Sequence, residues 1–144
     1  ALEKPVTPEP GRIVTFKLGG NAELPSPLDY LVVESPKAPL AGDAETWQVG
    51  MQRFAENCQF CHGAYAISSG VIPDLRWSAI SASEDSWAAV VRDGALTANG
   101  MVGFSDIIDD GEIEAIRLYV LRQAWLAVEN GTADAPELAA AGDQ

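Results

Sequence analysis

Seven of the nine prolines fall in the first forty residues: Pro5, Pro8, Pro10, Pro25, Pro27, Pro36 and Pro39. Proline fixes φ and removes a backbone donor, so no long helix can form there. A short strand is expected over residues 12–18, where Ile13, Thr15 and Lys17 alternate with Val14, Phe16 and Leu18 before Gly19 and Gly20. The remainder of residues 1–42 reads as extended, linker-like chain. From Asp43 onward the pattern changes. Trp47, Gly50, Met51 and Phe54 fall at i, i+3, i+4 and i+7, which predicts a first helix. A second is expected from about Ser83 to Asp93, with a capping box at Ser81 and Glu84 and a stop at Gly94. A third is expected from about Asp110 to Val128. Asp109, Asp110, Glu112 and Glu114 crowd its positive end, Ile113, Ile116, Tyr119, Val120 and Gln123 follow one face, and Asn130-Gly131 ends it. The expected fold is all-α over residues 43–131, with long loops between helices and a frayed tail at 132–144.

The segment "CQFCH", Cys58 to His62, holds both cysteines and the only histidine. Three chemistries suit C-x-x-C-H. Structural zinc wants four ligands, and only three good ones exist in the sequence. A thioredoxin-like dithiol opens a helix after a strand, whereas this motif closes a helix in an all-α pattern. Covalent haem attachment uses two thiols three positions apart on one porphyrin edge and places the next residue under the iron, so Cys58 and Cys61 would hold the group and His62 would ligate it. A sixth ligand can be sought independently. Met51 lies on the apolar face of the first helix and reads as core. Met101 lies in "ANGMVGF", a loop with no helical face to pack; it either covers an apolar patch or offers its thioether to the iron, with Gly100 and Gly103 letting backbone approach the haem plane.

These residues resemble a class I c-type cytochrome. Gly50, Phe54 and Cys58 repeat that family's G-x3-F-x3-C spacing, and Ile116 and Tyr119 match its aliphatic–aromatic pair on the last helix. The resemblance implies the cytochrome c fold, wrapped around one haem c, with the first and last helices crossing closely at Gly50. Pro73 resembles the proline whose carbonyl accepts the proximal histidine's Nδ1–H. Two further segments, "GRIVTFKLGG" and "GMVGFSDIIDDGEIEAIRLYVLRQA", are similar to the last propeller strand and to the cytochrome domain of PQQ-dependent quinohaemoprotein alcohol dehydrogenases. On that resemblance residues 1–42 are the remnant of a propeller strand plus a linker, and PQQ belongs to a dehydrogenase domain that this sequence does not contain.

The implied function is electron transfer, not catalysis by this domain alone. It would accept electrons from a PQQ dehydrogenase domain in cis and pass them to a redox protein or a quinone. A free-standing soluble cytochrome and a ligand-binding haem protein with a displaceable Met101 are the alternatives. Phe60, Val71, Ile72, Leu75, Trp77, Val90, Val91, Leu96 and Phe104 are candidate pocket walls. Arg76 is expected either to fork onto a haem propionate or to be simply exposed. Trp77 would donate to the same propionate or pack as a core ring. Tyr119 is expected between the helices, and Asp106, Asp109 and Asp110 as capping and solvation. The net charge of −12 and pI near 4.2 argue against nucleic acid and are compatible with a basic protein partner. No stretch reaches the roughly 20 apolar residues that a membrane helix needs. No basic region followed by an apolar run opens the sequence, so compartment follows from chemistry: haem c implies the periplasm or secretion. The domain is expected to be a monomer.

Overall fold

A computed structural model describes residues 17–21, 34–68 and 72–130. Most of the expected strand at 12–18, the tail at 132–144 and Val71 lie outside these residues. Lys17 to Asn21 form a turn closed by the Gly20 N–H on the Lys17 carbonyl at 2.9 Å. Helices and turns make up the rest of the described secondary structure, with no strand among the described residues.

Helix α1 spans Ala44–Asn57. Asp43 caps it, its Oδ1 accepting from the Thr46 N–H and hydroxyl at 2.8 Å each. Its buried face is Gly50 and Phe54. Helix α2, Gln59–His62, follows after a kink at Cys58, whose N–H still donates to the Phe54 carbonyl at 2.9 Å. The haem-type motif is thus a rigid continuation of α1. Gly63 ends α2 at φ +73°, and a Cβ there would overlap the Ile67 carbonyl oxygen. Tyr65 and Ala66 also adopt left-handed φ, at 59° and 61°. The chain therefore turns sharply straight after His62, through two residues that rarely take this conformation.

Short 3₁₀ turns follow at Leu75–Trp77 and Ala79–Ala82. Helix α3 spans Glu84–Val91, shorter than the pattern suggested, and its cap is Ser83, whose Oγ accepts from the Ser86 N–H at 3.1 Å. Ser81, expected to cap it, is instead fully buried in the preceding turn and donates its hydroxyl to the Ser78 carbonyl at 2.8 Å. The 3₁₀ turn moves the helix start two residues on. Helix α4 spans Asp110–Asn130. A capping box starts it: Asp109 accepts from the Glu112 N–H at 2.8 Å, and Glu112 accepts from the Asp109 N–H at 3.2 Å. Asp110 pairs with Arg92 at 3.3 Å.

The core lies where α1 and α3 pack on α4. It comprises Phe54, Cys58, Ala66, Trp87, Val91, Ile108, Ile113, Ile116, Tyr119 and Val120. The Trp87 indole donates to the Ile113 carbonyl at 3.1 Å, tying α3 to α4. Arg53 Nε donates to Glu112 at 2.7 Å, tying α1 to α4.

Residues 34–43 are bound to this unit, not free of it. The Trp125 indole donates to the Ala38 carbonyl at 3.1 Å and the Trp47 indole to the Ala41 carbonyl at 2.9 Å. Arg122 stacks on Trp47 with its guanidinium 5.0 Å from the ring. Trp125→Phe keeps an aromatic ring in place but removes the indole N–H and its bond, so a loss of about 1 kcal/mol is expected from the hydrogen bond. Hydrogen exchange should quicken at amides 37–42 and stay unchanged within α3. Uniform exchange across the chain would contradict a local strap.

Candidate haem site

The two cysteines stand at the end of α1 and inside α2. Cys58 is buried, Cys61 is exposed, and neither is in a disulfide. Burial pushes the Cys58 thiol up to about 11, with the Cys61 thiol adding to the effect. Dithiol exchange needs a thiolate, so this environment opposes it. Among the described residues no three His, Cys, Asp or Glu side chains gather closely enough to hold a metal ion. Among the described residues the zinc reading therefore has no ligand set.

His62 ends α2 half-buried. Its Nδ1 is buried with no partner in hydrogen-bond geometry. Burial lowers the imidazole pKa, and the Pro73 carbonyl opposes that shift. Pro73 thus acts on the ring it was expected to orient. A buried, neutral imidazole is the form that ligates a metal.

Met101 lies in the loop between α3 and α4. Its N–H donates to the Leu96 carbonyl at 3.2 Å, and the Phe104 N–H donates to the Val91 carbonyl at 2.8 Å. Two backbone bonds therefore fold the loop onto the end of α3. The glycines serve this folding. Gly94 takes φ +69°, and a Cβ on Gly103 would come within 2.8 Å of the Arg92 carbonyl oxygen. Gly103 is needed because backbone meets backbone there, which differs from the expected approach to a haem plane. Gly100 takes φ +94° with open space around it, so it serves the turn. Met101, Leu75, Ile80 and Phe104 are partly buried and pack on the core cluster that contains Cys58. The fold brings Met101 and the first cysteine to one apolar body.

Other expected residues are placed differently. Arg76 is neither free nor exposed: it is 6% exposed and forks onto Asp74, Nε to Oδ1 at 2.9 Å and Nη2 to Oδ2 at 2.6 Å. A buried guanidinium needs a counter-charge, and the nearest carboxylate in the chain supplies it. Its guanidinium lies 5.2 Å from the half-buried Trp77 ring. Phe60 is fully exposed and is no pocket wall, because α2 turns it away from the core. Val91 is buried, and Ile72, Val90 and Leu96 are half-buried. Tyr119 packs between α1 and α4 as expected, its ring 5.4 Å from Phe54. Burial raises its phenol to about 12, with Tyr65 adding. Sequence reasoning passed over Gly63, Trp87 and Asp74. A glycine directly after C-x-x-C-H was a readable signal for the first; the other two act through tertiary contacts.

The donor set fits a covalent haem. Two thiols three positions apart sit at a helix end, a half-buried imidazole follows them, and a thioether packs on the same core. The family model described as cytochrome c oxidase, cbb3-type, subunit III matches residues 45–120. Quinohemoprotein alcohol dehydrogenase ADH IIB of Pseudomonas putida is 37% identical over 115 residues, 79% of this chain and 16% of that protein. The dehydrogenase subunit of an alcohol dehydrogenase (quinone) of Komagataeibacter europaeus is 40% identical over 116 residues, 78% of this chain and 15% of that protein. Lupanine 17-hydroxylase (cytochrome c) of a Pseudomonas species is 36% identical over 129 residues, 83% of this chain and 17% of that protein. The chain spans about a sixth of the length of these relatives. With the match running over more than half its length, the chain belongs to this c-type cytochrome family, as a domain that carries haem c and transfers electrons.

Proposed function

We propose that Cys58 and Cys61 bind the haem through thioethers, that His62 and Met101 ligate its iron, and that the domain relays electrons from a PQQ-dependent dehydrogenase domain to an external acceptor. The observation that carries the ligand set is the packing of Met101 on the cluster containing Cys58, from a loop, whereas Met51 packs on the same cluster from the apolar face of α1; the buried Nδ1 of His62, without a partner among the described residues, goes with it. The iron supplies one-electron exchange between its ferric and ferrous states. The chain's own residues do the rest. α1 and α2 hold both thiols and the imidazole on one rigid helix run. The Pro73 carbonyl, which acts on the ring, would accept from Nδ1–H in the loaded protein and leave Nε2 its lone pair for the metal. The loop bonds at Leu96 and Val91 hold Met101 in place. Leu75, Ile80 and Phe104 pack on the same cluster and would keep water from the group held there. The relay reading rests on the quinohaemoprotein relatives and on the similar segments at both ends of the chain. A periplasmic location goes with it, since haem c is attached outside the bacterial cytoplasm.

Replacing the thiols tests the attachment. Cys58→Ala and Cys61→Ala should each leave one thioether, with the reduced pyridine haemochrome band moving stepwise toward that of free haem. The double variant should release its haem to acid–acetone. Haem retained covalently in the double variant would sink the assignment.

A further inference from the structure

A groove of about 450 Å³ lies along α1 and the turn that follows His62. Small-molecule sites fall at about 300–1,000 Å³. None of Cys58, Cys61, His62, Pro73 and Met101 lines it, so it is separate from the proposed haem site and an inference about it stands without that assignment. Gln48, Gln52, Ala55 and Gln59 run along it as one exposed stripe, four, three and four positions apart. Met51, half-buried, and Tyr119, 3% exposed, are its deeper walls. Tyr65, 40% exposed, lines it from the turn. The φ of +59° at Tyr65 is the left-handed conformation that side chains rarely take. Such strain gathers at ligand sites, because the surrounding structure must impose it.

No charged side chain lines the groove. The neighbouring charges on α1 answer each other: Arg53 bonds Glu56 at 2.8 Å, and Glu56 also accepts from the Gln52 amide at 2.9 Å. An anion would face the net charge of −12 with no cation in the groove to hold it, and a cation would find no carboxylate there. The ligand is therefore neutral. The polar groups that remain are the hydroxyls of Tyr65 and Tyr119 and the amides of Gln48, Gln52 and Gln59, a set that both donates and accepts. Among the described residues no hydrogen bond holds either phenol hydroxyl or the side-chain amides of Gln48 and Gln59. Ring hydroxyls match such a set, since each also gives one bond and takes another. The C–H face of a sugar ring, in turn, lies flat on the apolar body of a tyrosine while the phenol hydroxyl stays free to bond.

We infer that this groove binds a neutral sugar ring, with Tyr65 against its face and the amides of Gln48, Gln52 and Gln59 on its hydroxyls.

The test uses the haem-loaded protein, ¹⁵N-labelled and reduced, titrated with methyl glucoside and with cellotetraose. Glucuronate serves as the charged analogue and phenol as a flat aromatic control. Amides 48, 52, 55, 59, 64 and 65 should shift and saturate with at least one neutral sugar. Tighter binding of methyl glucoside points to a free sugar, and tighter binding of cellotetraose to a glycan chain. Glucuronate and phenol should both bind more weakly than that sugar. Tyr65→Gly removes the ring and relieves the left-handed φ, so the turn keeps its shape, and binding should weaken about tenfold. Gln48→Leu, at an exposed position on α1, should weaken it about fivefold through one lost hydrogen bond. Both variants should keep the helicity and the haem absorption spectrum of the parent, since neither residue touches the proposed ligand set. No saturable shift with either sugar, shifts that map away from the groove, tighter binding of glucuronate or phenol, or unchanged affinity in both variants would each overturn the proposal.

Discussion

Met101→Ala should abolish the near-infrared sulfur-to-iron band of the ferric protein and lower the reduction potential by a large margin. Thioether ligation favours the ferrous state, and axial ligand choice spans about 0.8 V across haem proteins. Replacing sulfur by water or hydroxide should therefore move the potential by on the order of a few tenths of a volt. Stability should fall less. Met101 is only half-buried, and its loop is held by backbone bonds to Leu96 and Val91 that the substitution leaves in place. Carbon monoxide should then bind the reduced variant and not the parent. Redox titration with optical detection reads the band and the potential, a thermal melt reads the stability, and a carbon monoxide difference spectrum reads the open site. A variant that keeps the band would transfer the sixth position to another donor, and Met51 on α1 is the only other methionine.

The sequence made the long periodic elements legible because their signals are local. Trp47, Gly50, Met51 and Phe54 define the buried stripe of α1 without reference to anything else, and Asp109 with Glu112 marks the start of α4. Local signals also misled. Ser81 has the spacing of a cap, but a 3₁₀ turn buries it and leaves the task to Ser83. Simple exposure of Arg76 is overturned because the tight turn at Leu75–Trp77 brings Asp74 within its reach. Phe60 reads as a wall on composition, and only the direction of α2 shows that it faces outward. The strap was beyond sequence reasoning: Trp125 bonds a carbonyl 87 positions away. Indole donors carry no mark of which carbonyl they will meet.

Gly50→Ala should be severely damaging to the domain. A Cβ on Gly50 would overlap the Ala115 carbonyl oxygen and approach the Tyr119 Cβ to 2.8 Å. The first obstacle is backbone, which cannot rotate aside, so α1 and α4 would have to separate. Overpacking costs about 1–3 kcal/mol where side chains can yield, and more where they cannot. Alanine in place of glycine returns roughly 1 kcal/mol through helix propensity. The clash wins, and a net loss of about 3 kcal/mol is expected, which lowers the melting temperature by roughly 15 °C for a domain of this size. The same displacement should reach the haem. Cys58 is bonded to the Phe54 carbonyl at 2.9 Å, so the attachment motif moves with α1, while Ile113 and Ile116, in the cluster on which Met101 packs, stay with α4. Thermal denaturation followed by circular dichroism should show the shift, and the near-infrared band should weaken in step as the histidine and methionine sides part. A Gly50→Ala protein that melts within about 3 °C of the parent, which is under 1 kcal/mol on the same scale, would mean the crossing is looser than this geometry. The glycine would then be serving α1 alone.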